Sequence, residues 1–264
     1  LGIIGLIGVP VSLFSPGYLH HLKKRVSLGV LWGGFALLLL SMCGVVLSSN
    51  AIVFIVFWEI MALSSFALVA ADNEKRETRR AAFIYLVATR IGTGFLMGGF
   101  LWAHAITESW NFSSWGISGA AAIGPAILIF IGLATKAGCW PFHLWLPIAH
   151  PAAPAPVSAI MSGVMIKTAI YGMARFFITG NHINFNSFGT ILLVLGAISA
   201  FWGVIFALLQ HDLKRLLAYH SVENIGIIMM GLGVSATGIS LKMPFLTQLG
   251  LAAALFHTLN HAVF

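Results

Sequence analysis

The sequence predicts an all-α integral membrane protein, a polytopic bundle of about nine transmembrane helices in which one helix is interrupted. The first observation is composition, because 59% of the 264 residues are hydrophobic and 8% are charged, whereas soluble domains carry about 25% charged residues. The second is that apolar segments close to membrane-spanning length recur along the whole chain. The third is a glycine and a proline directly after one of these segments, a combination that stops a helix.

The length of each apolar segment places the helices. A helix that crosses the hydrocarbon core needs roughly 20 apolar residues. The first segment is shorter than this, and the fifth is the interrupted one because Gly138 and Pro141 follow it. The predicted helices are residues 1–14, 28–47, 51–71, 81–103, 121–137, 157–178, 188–209, 215–234 and 246–264.

Basic residues in the loops predict the orientation of these helices, because lysine and arginine accumulate in cytoplasmic loops. Nine of them lie in one alternating set of loops, which comprises 15–27, 72–80, 141–156 and 210–215. The other set carries only Lys242 and comprises 48–50, 104–120, 179–187 and 235–245. The first set is therefore predicted to be cytoplasmic, and the protein to be a multi-pass protein of the cytoplasmic (inner) membrane.

Residues 1–264 are predicted to form a single transmembrane domain, because no soluble segment or linker interrupts the apolar pattern. The chain begins and ends inside apolar runs, so we expect a fragment of a larger protein, truncated at both ends. Topology accounts for the net charge of +7. The predicted surroundings are therefore the lipid bilayer, and no nucleic-acid partner is expected.

Two charged residues lie well inside predicted helices. Glu59 is nine residues into the third helix, and Arg90 is ten residues into the fourth. A charge at bilayer depth costs roughly 3 kcal/mol even on insertion scales, so it is normally retained for a role inside the protein. Glu59 either exchanges a proton or forms a fixed ion pair with Arg90. Arg90 stays protonated, so its role is supporting: it holds a carboxylate or biases a neighbouring lysine.

Two lysines flank the interruption. Lys136 closes the fifth helix at a break of the kind from which transporters build mid-membrane sites, although its long side chain can also reach the interface. Lys167 lies near the middle of the next helix, where it reaches the interface least. The proline-rich connector between them carries His143 and His150. Because a buried lysine can exchange its proton near neutral pH, the pair predicts movement of protons or ions.

Histidines and one further carboxylate follow in the last two helices. His220 and Glu223 are three residues apart and share a helix face. His257 and His261 are four apart and share one as well. Histidine changes charge near physiological pH, so these residues are candidates for a polar line that carries protons. A zinc or haem site is the competing interpretation, but no spacing is diagnostic, and we predict neither a metal nor another cofactor.

Seven short motifs carry a resemblance to a known family. They are Trp58–Glu59, Thr89–Arg90 with Gly92, Lys136 with PFHLWLP (141–147), HPAAPAPVSA (150–159), GVMIKTAIYG (163–172), DLKRLLAYHS (212–221) and HTLNHAVF (257–264). Together they resemble the antiporter-like proton-translocating subunits of complex I, of the Mrp sodium/proton antiporters and of the group 4 NiFe hydrogenases. Glu223 stands where complex I members usually have no acid, and Thr93 where they often have an aspartate. The chain therefore most resembles the hydrogenase-4 and formate hydrogenlyase type.

This resemblance implies roles for individual residues. Glu59 resembles the glutamate that couples to neighbouring subunits. Lys136 resembles the lysine that receives and releases the pumped proton, and Lys167 the bridging lysine on the next helix. His257 and His261 resemble the relay histidines further along. The family's second interrupted helix is expected beyond the last residue of this chain, within a larger antiporter-like fold.

The resemblance also implies a function. It is that of a proton-translocating membrane subunit of an energy-converting oxidoreductase complex, either hydrogenase-4-like or NADH:quinone oxidoreductase-like, that carries no redox centre itself. The implied partners are the other membrane and peripheral subunits of such an assembly. Two alternatives stay open: an Mrp-type cation/proton antiporter subunit, and a passive membrane anchor for a soluble arm.

Overall fold

The computed structural model describes residues 1–19, 28–180, 182–185 and 187–264. Its helices are α1 (Gly2–Leu19), α2 (Leu28–Leu47), α3 (Ala51–Val69), α4 (Arg76–Thr107), α5 (Ala120–Ala137), α6 (Leu146–Ala152), α7 (Ala155–Ile160), α8 (Ile166–Ala174), α9 (Phe188–Leu208), α10 (Leu213–Ser240) and α11 (Pro244–Val263). A π-helical turn, Met161–Met165, joins α7 to α8, and a second, Arg175–Thr179, follows α8. Residues Ala155–Thr179 therefore form one continuous helix.

All nine predicted segments are helical, which confirms the all-α membrane fold. Seven helices of the described part are long and apolar enough to cross a membrane: α2, α3 with the short 3-10 turn after it, α4, α5, the continuous α7–α8 helix, α9 and α10. The first helix is apolar but shorter, over Gly2–Tyr18. The last is 20 residues long, but Gln248, Asn260 and two histidines lower its mean hydropathy.

Several helices are longer than predicted. α1 continues to Leu19 rather than ending at residue 14, α4 covers Arg76–Thr107 rather than 81–103, and α10 continues to Ser240 rather than ending at residue 234. These extensions arise because backbone hydrogen bonding continues where the side chains are no longer apolar. The connector 141–156, predicted as a loop, contains α6, which has a proline in its first turn. A proline is tolerated there because the first N–H groups of a helix have no partner within it.

Three of the four loops predicted to face away from the cytoplasm meet at one end of the bundle. Strand β1 (Ile117–Ser118) pairs in parallel with β2 (Ile183–Asn184), and an antiparallel bridge joins Asn50 to Asn111. Aromatic side chains pack together at the same end, namely Phe54, Phe100, Phe112, Trp115 and Phe176. These contacts place loops 48–50, 104–120 and 179–187 on one side, as the predicted alternation requires.

Two of the predicted cytoplasmic loops also lie together. The Lys214 ammonium donates hydrogen bonds to the backbone carbonyls of Pro151, at 3.3 Å, and Ala153, at 2.9 Å. These bonds tie loop 210–215 to the connector that contains α6. The basic residues of the first predicted cytoplasmic loop are Lys23, Lys24 and Arg25, and they lie outside the described residues.

Helices α4 and α5 approach each other closely. A Cβ added at Gly132 of α5 would lie 2.7 Å from the carbonyl oxygen of Gly92 on α4 and 2.8 Å from the Leu96 Cβ. A glycine is therefore required at this crossing. The close approach brings the inward face of α4, which includes Tyr85, against the end of α5 that carries Lys136.

Candidate functional site

Among the described residues, the predicted proton-exchanging side chains and their partners fall largely into two groups. The Lys136 cluster lies on α3, α4 and α5 and consists of Glu59, Ser65, Tyr85, Arg90 and Lys136. The Lys167 cluster lies on the continuous α7–α8 helix, α10 and α11 and consists of Ser162, Lys167, His220, Ser221, Glu223, Asn224 and His257. Nine residues were singled out from the sequence as proton-translocating or supporting. Seven of them, including Arg90 as the partner of Glu59, have a hydrogen-bond or ion-pair partner within one of the two clusters. His143 and His261 lie outside both.

The end of α5 encloses Lys136. α5 stops because Gly138 adopts a left-handed backbone conformation, with φ of 72°, and its N–H returns to the Ala134 carbonyl. The connector then folds back, and the Trp145 indole Nε1–H donates a hydrogen bond to the Thr135 carbonyl at 2.8 Å. As a result, Lys136 is 2% exposed.

The direct partner of the Lys136 amino group is a tyrosine. Nζ donates a hydrogen bond to the Tyr85 hydroxyl at 3.1 Å, and it lies 5.5 Å from the centre of the Tyr85 ring and 5.9 Å from that of Trp58. The Tyr85 hydroxyl is 2.5 Å from Ser65 Oγ, which donates to the Met61 carbonyl at 2.6 Å. No ion pair between described residues includes Lys136. Neutral hydroxyls and aromatic faces therefore hold this lysine.

The Glu59 carboxylate is engaged with a different residue. Its Oε2 forms an ion pair with Arg90 Nη1, which is one of the two alternatives that the sequence left open. The pair lies at the edge of the bundle, where the Glu59 side chain is 22% exposed and that of Arg90 41%. The other carboxylate oxygen, Oε1, is buried without a hydrogen-bond partner in the described part of the chain. Arg90 thus holds the Glu59 carboxylate, and the observed partner of Lys136 is Tyr85.

Lys167 is held by its own helix. The π turn Met161–Met165 directly precedes it, and such turns occur often at functional sites because they disturb the regular hydrogen-bond ladder. The Ser162 carbonyl accepts a hydrogen bond from Lys167 Nζ at 2.5 Å. Lys167 is 5% exposed, and the ion pairs found between described residues do not include it.

A chain of side chains continues from this helix onto α10. Ser162 Oγ lies 2.8 Å from Ser221 Oγ. The preceding residue, His220, has its Nδ1 2.5 Å from Glu223 Oε2. The structure therefore places His220 and Glu223 on one helix face, as their spacing predicts. A hydroxyl pair and an imidazole–carboxylate pair thus lie on neighbouring residues of α10, and all of these groups exchange protons.

Asn224 connects this chain to α11. Its Nδ2 donates to the His220 carbonyl at 2.7 Å, and its Oδ1 lies 2.8 Å from His257 Nε2. Since an amide oxygen only accepts, His257 Nε2 carries the proton in this bond. His261 is one turn further along and is buried, but its Nδ1 has no hydrogen-bond partner among the described residues.

A cavity of about 590 Å³ adjoins the Lys167 cluster. Apolar residues of α1 and α11 form part of its wall, and its polar lining is His150, Ser158, Ser162, Lys214, His220, Ser221 and His261. His150 Nδ1 is 2.9 Å from Ser158 Oγ, while its Nε2 is buried with no partner in the described chain. Buried polar atoms of this kind are normally satisfied by water, and the cavity is large enough to hold several molecules.

The surroundings of the two connector histidines favour the neutral form of each side chain. Burial lowers the pKa of His143 below its ordinary value. Burial, together with the positive charges of Lys167 and Lys214, lowers the pKa of His150 to about 4. His143 Nδ1 lacks a partner among the described residues, and its ring lies 6.4 Å from that of Tyr219. His143, predicted as a supporting residue, is therefore a buried neutral side chain outside both clusters.

Methionine side chains lie between the two clusters. The Tyr85 hydroxyl is 3.6 Å from Met165 Sδ, and the Thr168 hydroxyl is 3.6 Å from Met61 Sδ. Both methionines are fully buried. Because a thioether is a weak acceptor and carries no proton to pass on, these contacts separate the Lys136 cluster from the Lys167 cluster by an apolar layer.

Sequence reasoning missed several members of the two clusters, namely Tyr85, Ser162, Ser221 and Asn224. Ser221 and Asn224 directly follow His220 and Glu223, so their position beside the predicted pair was a usable signal. Tyr85 meets Lys136 across 51 positions of sequence, and nothing in the local pattern indicates that contact. The described residues contain no group of three or more histidine, cysteine, aspartate or glutamate side chains that could hold a metal ion.

Three curated relatives match almost the whole chain. Hydrogenase-4 component B of Escherichia coli K12 is 39% identical over 99% of this chain and 39% of its own length. Formate hydrogenlyase subunit 3 of the same strain is 35% identical over 99% and 41%. A Na(+)/H(+) antiporter subunit of Bacillus subtilis 168 is 35% identical over 96% and 32%. The chain thus spans about two-fifths or less of the length of these relatives.

Solved structures and a family model agree with these matches. A chain of the archaeal membrane-bound sulfane sulfur reductase superposes with a TM-score of 0.82 and 26% identity, over 99% of this chain and 52% of that one. A chain of the Mrp complex from Dietzia sp. DQ12-45-1b shares the fold, with a TM-score of 0.76 over 87% of this chain and 42% of that one, at 24% identity. The family model described as NADH:quinone oxidoreductase/Mrp antiporter, transmembrane, matches residues 48–264. The chain belongs to this family, as its motifs indicated.

Proposed function

We propose that the full-length protein is the proton-translocating membrane subunit of an energy-converting oxidoreductase complex of the hydrogenase-4 or formate hydrogenlyase kind, located in the cytoplasmic membrane. The observation that carries the proposal is the pair of buried lysines, each bonded to a neutral oxygen in place of a carboxylate. A buried amine without a permanent counter-ion changes its charge state more easily than one locked in an ion pair. The identity to hydrogenase-4 component B supports the choice of complex.

In the proposed mechanism a proton occupies the Lys136 cluster and then the Lys167 cluster. The apolar layer between them blocks transfer until water enters it, in the way that hydrophobic constrictions control ion passage by wetting. From Lys167 the proton moves by way of water in the adjoining cavity, which Ser162, Ser221 and His220 line, to the His220–Glu223 pair. Residues 1–264 act in this scheme as one translocating domain, and electron transfer in partner subunits supplies the free energy.

The Glu59–Arg90 pair is the proposed contact point with those partner subunits. It lies at the edge of the bundle, and more than a third of the Arg90 side chain is exposed there. A charged group at membrane depth is normally covered by protein or lines a wet cavity. A shift of charge in a neighbouring membrane subunit would draw Glu59 away from Arg90, and the freed carboxylate would then favour a positive charge on Lys136.

An Mrp-type cation/proton antiporter subunit is the second candidate. The 35% identity to a Na(+)/H(+) antiporter subunit over 96% of the chain favours it. The two functions differ in their source of energy, because an antiporter needs only an ion gradient. Sodium-dependent proton exchange by the purified assembly in vesicles without an electron donor would support the antiporter, whereas proton uptake that depends on an electron donor would support the oxidoreductase complex.

The direct test is the substitution Lys136→Ala in the full-length subunit, within its native complex reconstituted into vesicles. We expect electron transfer and assembly to persist while proton translocation falls at least about 100-fold, since alanine cannot carry the proton. Lys75→Ala is the matched control, because Lys75 is exposed at the start of α4 and pairs with Asp72 outside the bundle interior.

Full translocation by the Lys136→Ala complex would contradict the proposal. The passive-anchor alternative makes a stronger statement, since it requires translocation to survive neutralisation of Glu59, Lys136 and Lys167 together. The triple variant Glu59→Gln, Lys136→Ala, Lys167→Ala therefore separates an anchor from a translocating subunit in the same vesicle assay.

A further inference from the structure

We propose that Tyr85 is a positioning residue for the Lys136 proton site, and that its hydroxyl holds the amino group between proton transfers while Arg90 keeps the Glu59 carboxylate away. The proposal rests on the proposed function above and adds a residue to it. Tyr85 is fully buried, and its hydroxyl is the hydrogen-bond acceptor observed for Lys136 Nζ in the described structure.

The hydrogen-bond distances around Tyr85 favour one direction of donation. Ser65 has one hydroxyl proton, and the Met61 carbonyl accepts it at 2.6 Å. With that proton engaged, the Tyr85 hydroxyl is the donor in its 2.5 Å contact with Ser65 Oγ, and Met165 Sδ, at 3.6 Å, is the weaker alternative acceptor. The lone pairs of the tyrosine hydroxyl remain available, and Lys136 Nζ donates to them at 3.1 Å. The order is therefore lysine to tyrosine to serine to a backbone carbonyl.

This chain orients the lysine and does not conduct protons away from it. The series of hydrogen bonds ends at the Met61 carbonyl, which carries no proton and cannot pass one on. A tyrosine that relayed protons would need an exchangeable group beyond Ser65. Tyr85 consequently acts by holding Lys136 Nζ at a fixed place from which other groups or water take the proton.

A neutral partner suits a group that must change its charge. When a lysine that is paired with a buried carboxylate loses its proton, the carboxylate is left uncompensated, which is costly. When Lys136 loses its proton to water, the Tyr85 hydroxyl is left with a neutral amine, and no isolated charge remains. The ion pair between Glu59 and Arg90 makes this arrangement possible because it satisfies the carboxylate elsewhere.

The tyrosine ring is held independently of its hydroxyl. It lies 5.1 Å from the Trp145 ring, and Trp145 is fixed by its hydrogen bond to the Thr135 carbonyl. The Trp58 ring closes the other side of the amino group, 5.9 Å from Nζ. A phenylalanine at position 85 therefore preserves the packing and the attraction between cation and ring, and removes only the hydroxyl.

The test is Tyr85→Phe in the full-length subunit of the native complex, reconstituted into vesicles, with electron transfer and proton translocation measured across a pH series. We expect the translocation rate at neutral pH to fall about tenfold, because a hydrogen bond to a charged group is lost. The half-maximal point on the alkaline side should move about one pH unit lower, since the ammonium loses its acceptor. Electron transfer should continue.

Tyr171→Phe is the matched control. The Tyr171 hydroxyl lies one turn after Lys167 in the same helix, but it belongs to a separate set of hydrogen bonds: it donates to the Val46 carbonyl at 2.8 Å and accepts from Arg175 at 2.9 Å. It removes a comparable hydroxyl from outside both clusters, so the pH profile should remain that of the wild type. A Tyr85→Phe profile that coincides with the Tyr171→Phe profile overturns the proposal.

Two further variants keep the test decisive. If Tyr85→Phe fails to assemble, Ser65→Ala removes the acceptor that orients the tyrosine hydroxyl, and a profile identical to that of the wild type then overturns the proposal. A shift of the alkaline half-maximal point to lower pH, about threefold smaller than the shift expected for Tyr85→Phe, supports it. Lys136→Ala distinguishes failure of the proposed function from failure of the role of Tyr85. Unchanged translocation by Lys136→Ala contradicts the proposed function itself. Loss of translocation by Lys136→Ala, together with a wild-type profile for Tyr85→Phe, contradicts only the role of Tyr85.

Discussion

The Lys136 and Lys167 clusters bury the same chemical group by different means. Lys136 depends on three helices, because α5 carries it, α4 supplies Tyr85 and α3 supplies Trp58 and Ser65. Lys167 is bonded to the carbonyl of Ser162, five residues earlier in its own helix. A relative shift of helices α3 to α5 therefore changes the surroundings of the first lysine, while the bond of the second persists. We infer that Lys136 responds to neighbouring subunits and Lys167 serves as a constant intermediate.

The two lysines also differ in the groups that lie beyond their hydrogen-bond partners. Lys136 bonds to a side-chain hydroxyl, and the hydrogen bonds beyond it end at the Met61 carbonyl inside the bundle. Lys167 bonds to a backbone carbonyl, but Ser162, Ser221 and His220 beside it line a polar cavity. The first cluster is a closed holding site, and the second is open to further transfer. Substitutions that act on one feature at a time test this contrast.

Among substitutions that leave both lysines in place, the largest expected effect comes from Arg90→Gln, which removes the partner of Glu59 in the first cluster. Without the arginine, Glu59 loses its partner and is free to pair with Lys136, which fixes the lysine in its charged state. We expect proton translocation per electron to fall about tenfold. Arg80→Gln, which removes an exposed charge from the start of the same helix, is the control. Equal translocation by the two variants would contradict the inferred role of Arg90.

A smaller effect is expected from Ser221→Ala in the second cluster. The substitution removes the hydroxyl that faces Ser162 at 2.8 Å. Water from the adjoining cavity can replace it, since a bridging water is nearly as good as a direct hydrogen bond. We therefore expect translocation to fall by about threefold. The control is Ser235→Ala, a buried serine on the same helix that donates to the Thr247 carbonyl. A loss as deep as that of a lysine variant would show that the cavity does not supply water.

The sequence was sufficient to predict the architecture because each spanning helix is apolar over a length that the bilayer sets. Loop charges predicted which ends lie together, and the contacts of Lys214 and of the two short strands agree. The spacing of His220 and Glu223 predicted their shared face, since both residues belong to one helix. Side-chain pairs at regular helical spacing are thus accessible from the sequence.

Contacts between helices were not accessible in the same way. Both alternatives for Glu59 were open until the crossing of α3 and α4 placed Arg90 beside it. The Tyr85 hydroxyl reaches Lys136 because glycines let α4 and α5 approach closely, and a single sequence does not reveal such a crossing. The π turn before Lys167 likewise has no local signature, because its energy depends on packing around it.

The most direct test of the account is whether the two lysines act in series. Lys136→Ala, Lys167→Ala and the double variant are compared in the full-length subunit of the native complex, by protons translocated per electron transferred. Because each proton must occupy both sites in turn, we predict that either single variant falls to the same background as the double variant. Appreciable translocation by either single variant, with further loss in the double, would show parallel routes and contradict the account.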